Sequence, residues 1–226
     1  MGSYDHGIVS RFVKNNFPVS IDKISNAIET GTWIGEGAKS LAHNYDKVYT
    51  IELDPIYYQQ CLKRFERVDE DICYSKIICL HGNSADVFKS LLPTLSGPST
   101  FWLDAHFMGN NKTDWKNSIW NGYCQELGKE IDHSGCINND PSKSQNQVPL
   151  DVELELIYNL HDAPAIVYID DIDKFTDEGM GEKNKMFLGE DWSHLNLNQM
   201  IDKLSPRILA MEKCGYGQLI ISLKEK

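Results

Sequence analysis

The chain alternates short β-rich runs with amphipathic helical runs, and this alternation constrains its fold more than any other feature. Strands are read at 25–29, 47–52, 75–80, 100–103 and 165–169. Helices are read at 8–16, 37–43, 54–68, 85–91 and 150–160. Asp54-Pro55 opens the third of these, with Asp54 as N-cap and Pro55 at the first helical position. A helix at 197–204 precedes two last strands, 207–212 and 218–223, with Gly215 and Gly217 between them. Those two are close enough to pair as an antiparallel hairpin. The pattern predicts an α/β fold: a doubly wound, mostly parallel sheet with helices on both faces.

A length of 226 residues suits one domain over 1–226 with a sizeable core. Periodicity fails between 108 and 148, where Asn, Lys, Ser and Gly dominate and Trp115, Trp120 and Tyr123 are scattered. Connections this long are uncommon inside a compact domain unless they are functional or disordered. The aromatics favour a partly ordered lid; a variable insertion is the alternative.

The formal net charge is −11, which disfavours phosphate backbones and anionic lipid as partners, and no Lys/Arg cluster offsets it. No apolar run is long enough to span a bilayer, and residues 1–10 lack a signal-peptide layout, so a cytoplasmic protein is expected. The six cysteines contain no C-x-x-C pair. Cys61 and Cys79 read as plain buried thiols. Cys124 and Cys136 flank His133 in a polar loop, which leaves a zinc knuckle open as an alternative.

Glu29-Thr-Gly31-Thr32-Trp-Ile-Gly35-Glu-Gly37 follows a strand and opens a helix. Glycines there allow positive φ and close approach of backbone to a ligand, and the helix start offers unpaired N–H groups. A triphosphate loop needs G-x-x-x-x-G-K-[ST]; Ala38-Lys39-Ser40 comes near, but Trp33 and Ala38 replace both glycines. A dinucleotide turn needs G-x-G-x-x-G, and Ser40 holds its third position. The spacing of Glu29, Gly31, Gly35 and Gly37 resembles the first motif of class I methyltransferases, which bind S-adenosylmethionine. Two further strand ends suit a nucleoside. Glu52 can accept both ribose hydroxyls, and Asn83, with Ser84 beside it, can meet the adenine edge.

Asp104 closes the fourth strand, and Asp170 and Asp171 close the fifth. Adjacent parallel strands would bring these carboxylates together, and like charges that close need a cation. Hard oxygen ligands suit Mg²⁺, Mn²⁺ or Ca²⁺. Such an ion would lower the pKa of an acceptor hydroxyl and align it. His106, two residues past Asp104, is placed to take the hydroxyl proton. The bland alternatives are turn-capping aspartates and a structural histidine. The segment from Asp171 to Asp177 is not a calcium loop, because Phe175 and Thr176 stand where a ligand and a glycine belong.

Glu29-Thr-Gly-Thr, Val48-Tyr-Thr-Ile-Glu-Leu-Asp54, Gly82-Asn-Ser84, Phe101-Trp-Leu-Asp-Ala-His106, the helix carrying Glu153 and Glu155, and Ile169-Asp-Asp171 occur in that order. Together they resemble a small class I methyltransferase family related to the cation-dependent O-methyltransferases. Its relatives include catechol O-methyltransferase and the macrolide and aminocoumarin sugar O-methyltransferases. The resemblance covers roughly 24–223. It implies a Rossmann-like sheet of seven strands with the last one antiparallel. It also implies a divalent cation, Mg²⁺ or Mn²⁺, on Asp104, Asp170 and Asp171, with His106 as base. The lysine of the catechol enzyme falls on Phe107 here, so that mechanism does not carry over intact.

The expected function is therefore metal-dependent O-methylation of a small hydroxylated acceptor such as a sugar. The cofactor would be held by Glu29, Gly31, Thr32, Gly35, Gly37, Glu52, Asn83, Ser84 and Asp104. Asp104 and His106 would do the chemistry. A homo-oligomer is compatible with the sequence. Two alternatives stay open: a catalytically inactive cofactor-binding module that recruits a partner through the long loop, and a nucleotide-dependent enzyme using Lys39.

Overall fold

The computed structural model describes residues 4–105, 148–176, 192, 194–215 and 217–226. The expected insertion lies outside the described residues apart from Val148, and so do His106, Cys124, His133 and Cys136. In chain order the elements are α1 (His6–Asn16), β1 (Asn26–Thr30), α2 (Glu36–Ala42), β2 (Lys47–Glu52), α3 (Pro55–Phe65) and β3 (Ile77–His81). Then follow α4 (Ser84–Leu91), β4 (Ser99–Leu103), α5 (Leu150–Leu160), β5 (Ala165–Ile169), α6 (Leu197–Leu204), β6 (Ile208–Cys214) and β7 (Gln218–Leu223).

These form one seven-stranded sheet in the order β3-β2-β1-β4-β5-β7-β6. The first five strands are mutually parallel, and β7 runs antiparallel to both of its neighbours. The expected final hairpin is present, but β7 inserts between β5 and β6 rather than adding at the edge. The fold is the expected mostly parallel α/β sheet with its last strand antiparallel.

Local chemistry sets the element ends. Asp54 accepts the Ile56 N–H at 2.8 Å and Pro55 opens α3, as the sequence predicts. Asn83 does the same for α4, accepting the Ala85 N–H at 2.9 Å. The third strand begins later than read. Asp71 accepts the Cys73 N–H and winds Ile72–Lys76 into a 3-10 turn, which leaves Ile77–His81 for β3.

β1, β4 and β5 are buried at every position, as strands covered on both faces must be. Alternate side chains enter two cores. One holds Ile28, Phe101, Leu103 and Val167 against α4, α5 and α6. The other holds Ala27, Val48, Trp102 and Tyr168 against α1, α2 and α3. Among the described residues, no helix is long and apolar enough to cross a membrane.

Candidate functional site

The five parallel strands end on one rim, which therefore carries Gly31, Glu52, Asn83, Asp104 and Asp170. β1 and β4 are neighbours there although two strands separate them in sequence. Connections diverge to opposite faces at such a switch point, and ligands of open α/β sheets bind in the crevice outside it.

The turn after β1 is shaped by packing. Gly31 has φ +84°, and an ideal Cβ there would lie 2.7 Å from the Asp104 carbonyl oxygen. Gly35 has φ +83°, and its Cβ would lie 2.5 Å from the Phe65 ring. A Cβ at Gly37 would lie 2.0 Å from Glu29 Oε1. Side chains are excluded at all three positions by protein atoms. Trp33, between the first two glycines, is itself left-handed at φ +48°. That conformation is costly for a bulky residue. Its amide is held by Glu52 Oε2 at 2.7 Å.

Glu52 uses both carboxylate oxygens on backbone: Oε2 for Trp33 and Oε1 for the Asp54 N–H at 2.8 Å. Burial raises its pKa to about 7 against the pull of those two amides. Its lone pairs are thus fixed in direction at the end of β2.

Glu29 is only 2% exposed and accepts the Thr50 hydroxyl at 2.5 Å. Thr50 in turn is bonded to the Thr32 hydroxyl at 2.6 Å. Burial lifts the Glu29 carboxyl to about 8, and the nearby Glu52 adds to this while Thr50 opposes it. The side chains of Glu29 and Thr32 are thus spent on tying β1, β2 and the turn together.

The sequence reading did not assign a site role to Glu153. It projects from α5, is 1% exposed, and is held from one side by the Ser84 and Thr30 hydroxyls. Burial pushes it to about 7. Its Oε1 has no hydrogen-bond partner among the described residues. The Ser84 hydroxyl therefore points to Glu153, and the Asn83 oxygen caps α4.

Asp104 and Asp170 are adjacent, being the next residues after the paired Leu103 and Ile169. The Asp104 amide bonds the Thr30 hydroxyl at 3.3 Å. Asp170 Oδ1 accepts the Asp171 N–H and the Gln218 amide. Asp171 is left-handed at φ +60°, and its carboxylate is paired with Lys174 at 2.7 Å. Among the described residues no three His, Cys, Asp or Glu side chains group as a metal site.

Lys39, the residue of the triphosphate near-miss, turns to Asp71 at 3.3 Å and lies over the Tyr74 ring. It is committed away from the glycine turn. A cavity of about 440 Å³ opens at the opposite rim, lined by residues such as Leu92, Gly97, Asp162 and Lys226. None of the site residues reaches it.

The same architecture is found in solved O-methyltransferases. The structure matches the O-methyltransferase TomG from Streptomyces achromogenes, involved in tomaymycin synthesis and solved in complex with SAM. The TM-score is 0.54 at 13% identity, over 97% of this chain and 78% of TomG. It also matches the O-methyltransferase from Bacillus cereus, solved with SAH. There the TM-score is 0.51 at 13% identity, over 96% of this chain and 79% of that one. The chain has the O-methyltransferase fold. No protein-family model and no curated protein sequence matches it. The rim that carries Gly31, Glu52, Asn83 and Asp104 lies at the carboxyl ends of the parallel strands, where open α/β sheets bind their ligands.

Proposed function

We propose that the chain is an S-adenosylmethionine-dependent O-methyltransferase acting on a small hydroxylated acceptor such as a sugar. The observation that carries this reading is Glu52. A buried acid with both oxygens aimed by backbone amides, at the end of β2 beside a glycine turn, suits a ribose diol. The fold shared with O-methyltransferases supports it.

In this reading the backbone at Gly35 and Gly37 passes close to the methionine half, and Gly31, whose N–H is bonded to the Ile51 carbonyl, fixes the turn. Glu29 and Thr32 act by holding that turn. Asn83 presents its amide to adenine, and Ser84 is set by Glu153. The acids of the rim favour the cationic sulfonium. The acceptor oxygen attacks the methyl carbon as the carbon–sulfur bond breaks, leaving a neutral thioether. His106 is the proposed base and takes the hydroxyl proton.

The three-acid set fits a divalent ion only in part, because the carboxylate of Asp171 is neutralised by Lys174. Asp104 and Asp170 are the pair that would hold Mg²⁺ or Mn²⁺. Bound there, the ion would lower the pKa of the acceptor hydroxyl. The acidic composition and the absence of a basic cluster in the sequence favour a small-molecule acceptor.

Calorimetry with S-adenosylmethionine tests the reading: binding to the wild type and its loss in Glu52→Ala are expected. Folded wild-type protein that gives no heat sinks it. Cofactor binding without turnover on any hydroxylated acceptor would favour the inactive binding module instead.

A further inference from the structure

Asp170 and Asp171 are neighbouring acids in sequence but meet different donors. Asp171 pairs with the ammonium of Lys174. Asp170, 3% exposed, takes two neutral donors on Oδ1: the Asp171 N–H at 2.9 Å and Gln218 Nε2 at 3.2 Å. Gln218 opens β7 and is 4% exposed. Because β7 is antiparallel, its first residue lies at the rim where β5 ends, next to the paired Leu219 and Ile169. Gln218 Oε1 accepts the Tyr168 hydroxyl at 2.5 Å.

The chain runs from the Tyr168 hydroxyl through Gln218 to Asp170. A carboxylate ionised to hold a cation only accepts, and in that reading the amide nitrogen of Gln218 faces Asp170, as the 3.2 Å contact has it. The amide oxygen then faces Tyr168, whose hydroxyl must donate. Tyr168 and Asp170 lie two residues apart, at the end of β5 and just beyond it, so the loop closes across β5 and β7.

We propose that Gln218 is a positioning residue for Asp170, oriented in turn by Tyr168. The proposal rests on the reading of Asp170 as a ligand of a divalent cation. A glutamine fixes the direction of the carboxylate and adds no charge of its own, whereas a lysine or arginine at that position would compete with the ion. Partners of metal-ligating carboxylates generally matter in this way.

The test uses the full chain saturated with S-adenosylhomocysteine and titrated with Mn²⁺, followed by electron paramagnetic resonance. Gln218→Met should weaken Mn²⁺ binding about 10-fold or more, with affinity for S-adenosylhomocysteine unchanged by calorimetry. Tyr168→Phe should weaken it in the same direction but less. The double variant should be no weaker than Gln218→Met alone, because both act through one chain. Wild-type Mn²⁺ affinity in Gln218→Met overturns the proposal. If that variant does not fold, an unchanged affinity in Tyr168→Phe does so. If the wild type binds no Mn²⁺, the divalent-ion reading fails and the crystal structure of Gln218→Met decides the positioning role. A carboxylate of Asp170 turned from its place supports the role, and one that stays overturns it.

Discussion

Glu29 and Gly37 share one space: the carboxyl oxygen of the acid sits where a side chain on the glycine would begin. The Trp102 ring closes the same spot, 2.3 Å from an ideal Cβ at Gly37. The first acid and the last glycine of the turn are thus a packing pair.

Gly37→Ala should therefore cost stability before it affects any ligand. Neither the β1 backbone under Glu29 nor the buried indole can move aside cheaply, so overpacking should cost about 2–3 kcal/mol. Chemical denaturation measures this, and a loss below about 0.5 kcal/mol, the range of ordinary surface substitutions, would refute the packing account.

Stability without ligand should fall as pH rises from about 5 to 8. Glu29 is lifted to about 8, and Glu52 and Glu153 to about 7, from an ordinary 4.5. Between the unfolded and folded values the native state binds more protons than the unfolded chain, so raising pH favours unfolding. Below about 4.5 both states are protonated, and above about 8 both are ionised, so the slope flattens at each end. Thermal melts across this range should show the decline, and Glu29→Gln should reduce it.

The three rim aspartates should separate by substitution. Asp104→Asn and Asp170→Asn should lower turnover by at least the factor of about 10–100 that loss of an outer-shell partner costs a metal site. Asp171→Asn should act mainly on the Lys174 pair and leave Mn²⁺ binding in place. Equal losses for all three in a Mn²⁺ titration would restore Asp171 to the ligand set.

Arg207 is a structural cation. It donates to the carbonyls of Tyr158 at 3.0 Å, His161 at 2.8 Å, Ala163 at 3.1 Å and Lys224 at 2.9 Å. It thereby satisfies carbonyls at and just beyond the C-terminal end of α5, where a positive charge is also favourable. A lysine cannot span this fork, so Arg207→Lys should cost about 2–3 kcal/mol in unfolding free energy, while cofactor affinity should hold in calorimetry.

The strands and helices were legible where periodicity and caps agree. β2, α5, β5, α6 and β7 lie where the sequence reading puts them. The misplaced start of β3 has a local cause, the Asp71 cap, which competes with an otherwise strand-like run. The rim residues were legible because strand ends of a parallel sheet fall together. Glu153 and Gln218 were not. Glu153 occupies an ordinary position in an amphipathic helix, and its burial follows from Thr30 and Ser84 meeting it from other elements. Gln218 owes its role to partners 48 and 50 residues away in sequence, and only the insertion of β7 beside β5 brings them together. The inward turn of Glu29 was hidden for the same reason, since Thr50 and Trp102 arrive from neighbouring strands.

The interior place of β7 also shapes how this edge of the molecule can open. β6 joins the sheet only through β7, and β7 is buried along its whole length. β7 cannot part from β5 unless β6 moves with it or has already left, whereas β6, the half-exposed edge strand, can fray alone. Amide hydrogens of β7 should exchange with solvent slowly and as a group, more slowly than those of β6.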